Sequence, residues 1–215
     1  MSDSMLSKLL SSGIIAVVRK VNPDRAVQLV DSFIKGGVSG IELTVDSESA
    51  YEKIGELKSL FSEAAVIGAG TVVNVQQAKA AIDAGADFIV SPILDRDIIE
   101  YVKQEGKIMM PGVFTPTEMK NAYTWGADVV KVFPASALGP GFFKDVNGPL
   151  GYIPKMPTGG INLNNVQDFI KAGAVAAGIG GSLVNTELIQ QENWEALEKL
   201  ARKYTEKAAL AGIGK

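Results

Sequence analysis

A lysine and a glutamate each lie within a strongly apolar segment of the sequence. Lys131 lies in DVVKVFP (128–134), and Glu42 lies in SGIELTV (39–45). An apolar pocket favours the neutral amine of a lysine, which can attack a carbonyl carbon and form a Schiff base. A glutamate beside such an amine can transfer protons as a general acid or base. The two residues therefore predict covalent chemistry on a carbonyl compound, provided that the fold brings them together.

The residue types that are absent narrow this chemistry. The chain contains no cysteine and no histidine. Disulfide bonds, a thiolate nucleophile, a Ser-His-Asp triad and zinc sites built from these two residue types are thereby excluded. An all-oxygen magnesium site is still compatible with the composition. Catalysis must use lysine, arginine, carboxyl, hydroxyl or backbone groups.

Composition and charge indicate the class of protein. The 215 residues are 47% hydrophobic and 21% charged, with a net charge of −3. This acidic balance gives no electrostatic reason to bind a nucleic acid or an anionic membrane. No apolar run reaches the about 18 residues of a membrane span, and the first residues do not have the pattern of a signal peptide. We expect a cytoplasmic protein that binds neither nucleic acid nor membrane.

One pattern recurs along the chain and would position these side chains. A short apolar segment ends in Gly, Pro, Thr or Ser, and an amphipathic stretch with helix signals follows. The apolar segments span residues 13–19, 39–45, 65–72, 87–92, 107–113, 128–134, 153–160 and 174–181. Their spacing of roughly 20–26 residues is the size of a βα unit. The repetition predicts one (β/α)8 TIM barrel domain over residues 1–215, with an open doubly wound sheet as the alternative. A short helix at about 2–12 would begin it, and a final amphipathic helix at about 191–211 would end it.

Alternation along the strands predicts where the reactive side chains point. In a barrel strand the apolar residues of one face pack on helices, and the intervening residues point into the lumen. Glu42 in the second segment and Lys131 with Phe133 in the sixth have apolar neighbours on both sides, so they face inward. The alternative is a buried Glu42–Lys131 ion pair with a purely structural role, although such pairs stabilise proteins weakly.

A second lysine competes for the catalytic role. Lys155 lies in the segment IPKMPTGG, where no clear alternation decides its direction. The flanking Pro154 and Pro157 suggest an irregular strand edge near the mouth of the barrel. We therefore expect Lys155 to be solvated and Lys131 to be the reactive lysine.

Two neighbouring loops predict an anion site. TGGIN (158–162) and GIGGSLV (178–184) follow the seventh and eighth segments, and each places glycines just before a predicted helix. Backbone N–H groups and helix N-termini bind anions, and many barrels bind phosphate between these two loops. Thr71, in the loop GAGTV, offers a hydroxyl to a substrate carboxylate, although a plain turn explains this loop equally well. The predicted phosphate donors are Gly159, Gly160, Gly181 and Ser182.

Together these segments resemble the 2-keto-3-deoxy-6-phosphogluconate (KDPG) aldolase family, which includes the 4-hydroxy-2-oxoglutarate (KHG) aldolases. The similar motifs, in chain order, are IIAVVR, IELT, GAGTV, FIVSP, MPGVFTPTE, VVKVFPAS, PTGGI and GIGGS. The resemblance implies a homotrimeric class I aldolase of the (β/α)8 fold that needs no metal or cofactor. Its substrate would be a phosphorylated 2-keto acid.

The implied reaction cleaves KDPG to pyruvate and glyceraldehyde 3-phosphate. Cleavage of KHG to pyruvate and glyoxylate would be an additional reaction. The alternatives are an aldolase for a related 2-keto-3-deoxy sugar acid phosphate and a non-catalytic phosphosugar-binding barrel. A phosphate-binding isomerase or synthase fits less well, because such enzymes typically use metal-bound carboxylates, histidines or cysteines.

The resemblance also implies roles for individual residues. Lys131, in the KxFP motif, corresponds to the Schiff-base lysine, and Glu42, in the E-x-T motif, corresponds to the general acid/base. Arg19 matches an arginine at the end of the first strand, and Phe133 would form an apolar wall beside the amine. The other matching substrate-binding positions are Thr71, Pro92, Thr158, Gly159 and Gly160.

Asp46 departs from the family pattern. Some members carry an arginine two residues after the E-x-T threonine, and this arginine helps to hold the substrate carboxylate. Asp46 occupies that position here, and its carboxylate would repel an acid. We expect Arg19 and Thr71 to hold the substrate carboxylate instead.

Overall fold

The computed structural model describes residues 2–213 as an α/β protein. Its strands are β1 (Ile14–Val18), β2 (Gly40–Thr44), β3 (Val66–Gly70), β4 (Phe88–Val90), β5 (Ile108–Met110), β6 (Gly112–Val113), β7 (Val130–Val132), β8 (Lys155–Pro157) and β9 (Ala177–Ile179). Its helices are α1 (Ser2–Leu10), α2 (Ala26–Lys35), α3 (Ala50–Phe61), α4 (Val75–Asp83), α5 (Arg96–Gln104), α6 (Pro116–Thr124), α7 (Gly139–Leu150), α8 (Val166–Lys171), α9 (Thr186–Gln190) and α10 (Trp194–Ala211). Short 3-10 helices span Pro23–Arg25 and Ala135–Ala137.

Side-chain caps define where several helices begin. Asn74 accepts a hydrogen bond from a first-turn N–H of α4, and Asp95 does the same for α5. Thr115 and Glu118 form a reciprocal capping box at the start of α6. Each cap satisfies a backbone donor that has no partner within the helix, so the chain turns from strand to helix at a defined residue.

The strands form two parallel sheets. One has six strands in the order β5-β4-β3-β2-β1-β9, and the other has three in the order β6-β7-β8. The last strand of the chain pairs with the first, and the order of the six strands lacks the reversal that defines a doubly wound sheet. The six-stranded sheet is curled.

The expected closed barrel of eight strands is confirmed only in part, because the strands form two sheets that no continuous ladder joins. Pro111 separates β5 from β6 and has no N–H to continue the ladder. At the other junction, an isolated bridge between Thr158 and Gly178 and a hydrogen bond from the Val175 N–H to the carbonyl of Lys155 connect the two sheets. The α/β class and the curled parallel sheet are therefore established, whereas a complete eight-stranded barrel is not.

The core has two layers. The larger lies between the sheets and the helices. The smaller is formed by residues from the inner faces of the strands together with Leu9 of α1, which closes this end of the lumen. Its buried members are Leu9, Ile15, Val66, Phe88, Val90, Ile108, Met110, Val129, Met156 and Ala176. Among the residues described, no helix has both the length and the apolar character needed to cross a membrane.

Candidate active site

Glu42 is buried on the inner face of β2. Its neighbours Ile41 and Leu43 belong to the outer core, as the alternation predicts. The residue is 1% exposed, and neither carboxylate oxygen has a hydrogen-bond partner among the described residues. Burial raises the pKa of Glu42, and the opposing charges of Lys131 and Arg19 do not cancel this effect. A raised carboxyl pKa suits a group that exchanges protons near neutral pH.

Lys131 lies at the centre of β7 and is 5% exposed. Val130 and Val132 belong to the outer core, whereas Val129 belongs to the inner one, so the predicted inward direction of Lys131 is confirmed. Its Nζ lies 5.1 Å from the centroid of the Phe133 ring. Within residues 2–213 the ammonium makes this cation–π contact and no hydrogen bond or ion pair.

The two groups therefore do not form a direct structural ion pair. Because the Glu42 oxygens have no hydrogen-bond partner among the described residues, Lys131 acts on the carboxylate only through its field. Buried polar groups in folded proteins almost always have partners, and the exceptions are common at functional sites. The arrangement leaves the carboxyl of Glu42 and the amine of Lys131 without a hydrogen-bond partner among the described residues.

Lys155 is not solvated, so that expectation was wrong. It is 1% exposed, although it lies on β8 beside β7. Its Nζ donates to the carbonyl oxygens of Leu150 at 2.9 Å and Ile153 at 2.6 Å. The long side chain turns back to the end of α7, where carbonyls have no partners within the helix. Burial lowers the pKa of Lys155, but the nitrogen is occupied by these carbonyls.

A cavity of about 740 Å³ lies between the loops that follow β1, β8 and β9. It brings together part of the predicted site, namely Arg19, Thr158, Gly159, Gly160, Gly181 and Ser182. Glu42, Lys131, Thr71, Pro92 and Phe133 do not line it. The predicted residues thus fall into two groups: those that line the cavity, and the buried Glu42 and Lys131 on other strands of the same sheets.

The loops after β8 and β9 are joined by a side chain. Ser182 Oγ donates to the carbonyl oxygen of Ile161 at 2.6 Å. The backbone N–H groups of Gly160, Gly181 and Ser182 donate no hydrogen bond to any described residue. Gly160 has a φ of +77°, a backbone conformation that favours glycine. Free N–H groups on two connected loops can bind an anion such as phosphate.

Contrary to the prediction, the N-termini of α8 and α9 do not directly follow the glycines of these loops. α8 begins at Val166 and α9 at Thr186, so turns separate both helices from the glycines. The helices have only six and five residues, and the backbone N–H groups themselves are the donors that the loops offer. Thr158 adds a buried hydroxyl without a hydrogen-bond partner among the described residues.

Three predicted residues lie at other strand ends. Thr71 follows β3 and has a φ of +61°, which is unusual for a residue other than glycine. Pro92 follows β4, and Phe133 follows β7 with 38% of its surface exposed. The structure places all three after parallel strands, at the edge where active sites of α/β proteins are built.

Asp46 is a neighbour of Arg19 that the sequence did not reveal. Arg19 Nη2 and Nε donate to Asp46 Oδ2 at 2.7 and 3.1 Å. The two residues follow β1 and β2, which pair in parallel, so their loops leave the sheet side by side. Arg19 is therefore held by a carboxylate, and Asp46 does not stand as an isolated negative charge. Among residues 2–213, no three acidic side chains cluster closely enough to hold a metal ion.

Comparison with known proteins identifies the family of this chain. The family model for KDPG and KHG aldolase matches residues 5–200. The 2-dehydro-3-deoxy-phosphogluconate aldolase of Haemophilus influenzae is 34% identical over 203 residues, which cover 94% of this chain and 95% of the relative.

Two solved structures have similar folds. The native KDPGal structure has a TM-score of 0.86 and 29% identity, covering 92% of this chain and 95% of that one. KDPG aldolase from Legionella pneumophila, with pyruvate captured as a covalent carbinolamine, has a TM-score of 0.85 and 27% identity, covering 91% and 95%. The chain belongs to the KDPG and KHG aldolase family and is therefore an aldolase, an enzyme of the lyase class.

Proposed function

We propose that this aldolase cleaves KDPG to pyruvate and glyceraldehyde 3-phosphate through a Schiff base on Lys131. The observation that carries the proposal is the buried amine and the buried carboxyl, neither of which has a hydrogen-bond partner among the described residues. The Legionella pneumophila enzyme, which holds pyruvate as a carbinolamine, supports the covalent route. In this proposal the two sheets together complete one (β/α)8 barrel domain. Three copies of the chain would assemble into a homotrimer in the cytoplasm.

The proposed mechanism moves one proton through Glu42. The neutral amine of Lys131 attacks the C2 ketone, and protonated Glu42 helps the carbinolamine hydroxyl to leave as water, giving an iminium ion. The Glu42 carboxylate then accepts the proton of the C4 hydroxyl, directly or through a water molecule. The C3–C4 bond breaks, its electrons neutralise the iminium, and the aldehyde departs. Glu42 returns the proton to C3 of the enamine, and hydrolysis releases pyruvate.

The remaining residues would bind the substrate. The free N–H groups of Gly160, Gly181 and Ser182 would bind the phosphate, because they lie on two connected loops around one cavity. Gly159 belongs to the same turn. Thr158, whose buried hydroxyl has no partner among the described residues, would donate to a substrate oxygen. Thr71 would bind the carboxylate without the help of Arg19 that the sequence suggested, because Arg19 lines the cavity of the glycine loops and Thr71 does not. Pro92 and Phe133 would enclose the amine.

Borohydride trapping tests the covalent step. Pyruvate and borohydride should give one reduced adduct, located by peptide mass spectrometry at Lys131, and Lys131→Met should abolish it. Lys144→Met is the matched control, because Lys144 is an exposed lysine on α7, and it should trap pyruvate normally. An adduct at Lys155, or none in the unmodified protein, would contradict the assignment.

Pyruvate release tests the substrate. KDPG should release pyruvate in the presence and absence of EDTA. A non-catalytic sugar phosphate-binding protein would release none. The galacto epimer of KDPG is a second candidate, because the native KDPGal structure is among the most similar folds, with a TM-score of 0.86. The ratio of kcat/KM for the two epimers and for KHG decides between them.

A further inference from the structure

Asp46 carries no role in the reaction proposed above, yet its side chain is bound to a residue of the cavity. We propose that Asp46 is a positioning residue that acts through Arg19, holding the guanidinium at the rim of the cavity where the substrate phosphate binds. The proposal rests on the proposed function for the identity of the substrate. The contact itself does not depend on that identity.

The first support is the geometry of the Arg19–Asp46 contact. Two nitrogens of Arg19 donate to the same oxygen of Asp46, at 2.7 and 3.1 Å. The Arg19 side chain is 57% exposed, and an arginine this exposed would otherwise sample many rotamers. Exposed ion pairs contribute little to folding stability, so stability alone does not account for the pair. Its consequence is a fixed direction for the guanidinium.

The second support is that the same two loops are joined by further contacts. The backbone N–H of Lys20 donates to Ser47 Oγ at 2.8 Å, and Ser47 Oγ lies 2.9 Å from Thr44 Oγ1. Lys20 has a φ of +52°, which is rarely adopted by residues other than glycine. The loop after β1 is therefore held to the loop after β2 through both its backbone and the Arg19 side chain.

The third support is the charge at the cavity rim. Arg19 and Lys20 both line the cavity that includes the free N–H groups of Gly160, Gly181 and Ser182. The Lys20 Nζ lies 3.9 Å from the Asp46 carboxylate. Partial burial raises the pKa of Asp46, but hydrogen bonds from Thr44 and Arg19 and the nearby cations outweigh it, so the pKa is lowered. Asp46 is thus charged at neutral pH, and two cations with one anion leave a net positive rim that suits a phosphate.

A double-mutant cycle tests whether Asp46 acts through Arg19. The proteins are the unmodified chain, Asp46→Ala, Arg19→Ala and the double variant, and the probe is inorganic phosphate titrated by calorimetry. Asp46→Ala should weaken phosphate binding about fivefold, because the guanidinium is no longer directed at the cavity. In the Arg19→Ala background the same substitution should change binding by less than about twofold. An equal loss in both backgrounds, or no loss in either, would overturn the proposal.

Steady-state kinetics separate positioning from a general structural effect. Asp46→Ala should raise KM for KDPG about fivefold and leave kcat within about twofold, because the lost interaction is with a part of the substrate that does not react. A fall in kcat with an unchanged KM would contradict the proposal. Asp46→Asn keeps an acceptor oxygen without the charge, so its KM should lie between those of the unmodified protein and Asp46→Ala. It replaces Asp46→Ala if that variant fails to fold.

Two controls complete the design. Glu48→Ala removes an exposed carboxylate from the same loop and should leave phosphate binding unchanged. Borohydride trapping of pyruvate should proceed at the normal rate in Asp46→Ala, since pyruvate has no phosphate. If the unmodified protein traps no pyruvate, the proposed function fails, whereas the calorimetric cycle still decides whether Asp46 positions Arg19.

Discussion

The carboxylate of Glu42 occupies the space that a side chain on Gly70 would fill. A Cβ atom at Gly70 would overlap Oε1 of Glu42. Gly70 is the last residue of β3 and pairs with Thr44 of the neighbouring β2. The missing side chain on β3 therefore lets a buried carboxyl on β2 lie across it. The position of the Glu42 side chain therefore depends on a glycine at residue 70.

Gly70→Ala should displace the Glu42 side chain and reduce kcat by about 100-fold, because a misplacement of about 1 Å has that cost at a catalytic group. Stability should also fall, since Oε1, Cδ and Cγ of the buried Glu42 side chain must all move. Kinetics with KDPG and thermal unfolding measure the two effects. Gly148→Ala is the matched control: its Cβ would meet nothing within 4 Å, and full activity is expected. Normal turnover in Gly70→Ala would show that the position of Glu42 is not critical.

Glu42→Gln should change how stability depends on pH. Burial raises the pKa of Glu42 above its ordinary value of 4.5. Between that value and the raised one, the folded state keeps a proton that the unfolded state releases. The unmodified protein therefore loses stability as pH rises through this window, and Glu42→Gln does not. The variant should gain stability relative to the unmodified protein as the pH rises above 4.5, measured as urea midpoints.

The control for the pH experiment is Glu48→Gln, which replaces an exposed carboxylate. Its stability difference from the unmodified protein should stay nearly constant over the same pH range. A constant difference for Glu42→Gln as well would mean that the buried carboxyl does not have the raised pKa. In activity assays, Glu42→Gln should still trap pyruvate slowly but lose most turnover.

Lys155→Met should destabilise the protein without removing its reactive amine. The substitution keeps an unbranched side chain but removes the donor to two carbonyls. The carbonyl of Leu150 keeps the Ile153 N–H, whereas that of Ile153 loses its buried donor. We expect a loss of about 2 kcal/mol in the free energy of unfolding. Denaturant titration measures the loss, with the exposed Lys144→Met as the reference. Pyruvate should still be trapped at Lys131, and loss of the adduct in folded Lys155→Met would reverse the roles of the two lysines.

Ser182→Ala should weaken binding of the phosphate end of the substrate. It removes the hydrogen bond from Ser182 Oγ to the carbonyl oxygen of Ile161, which joins the loops after β8 and β9. A lost bond of about 1 kcal/mol corresponds to about a fivefold increase in KM for KDPG. KM for KHG, which has no phosphate, should not change. Ser11→Ala, which also removes a hydroxyl bound to a backbone carbonyl, is the control; an equal increase for both substrates would contradict the assignment of these loops.

The buried pair was predictable because strand alternation is a local property. Apolar neighbours on both sides of Glu42 and Lys131 already indicate which way the two side chains point, and the structure agrees. Lys155 was not predictable in this way. Its four-carbon side chain reaches carbonyls that precede its own strand, so its burial depends on where α7 ends and not on alternation.

The sequence by itself determined the α/β class, the family and the direction of the two reactive side chains. These features follow from periodicity and from residue types in a linear order, with no long-range contact required. Only the tertiary structure decided that Asp46 pairs with Arg19, that Ser182 connects the loops after β8 and β9, and that the strands divide into two sheets. The reason is physical: those features depend on the lateral placement of loops from neighbouring strands, which residues distant in sequence set through their packing.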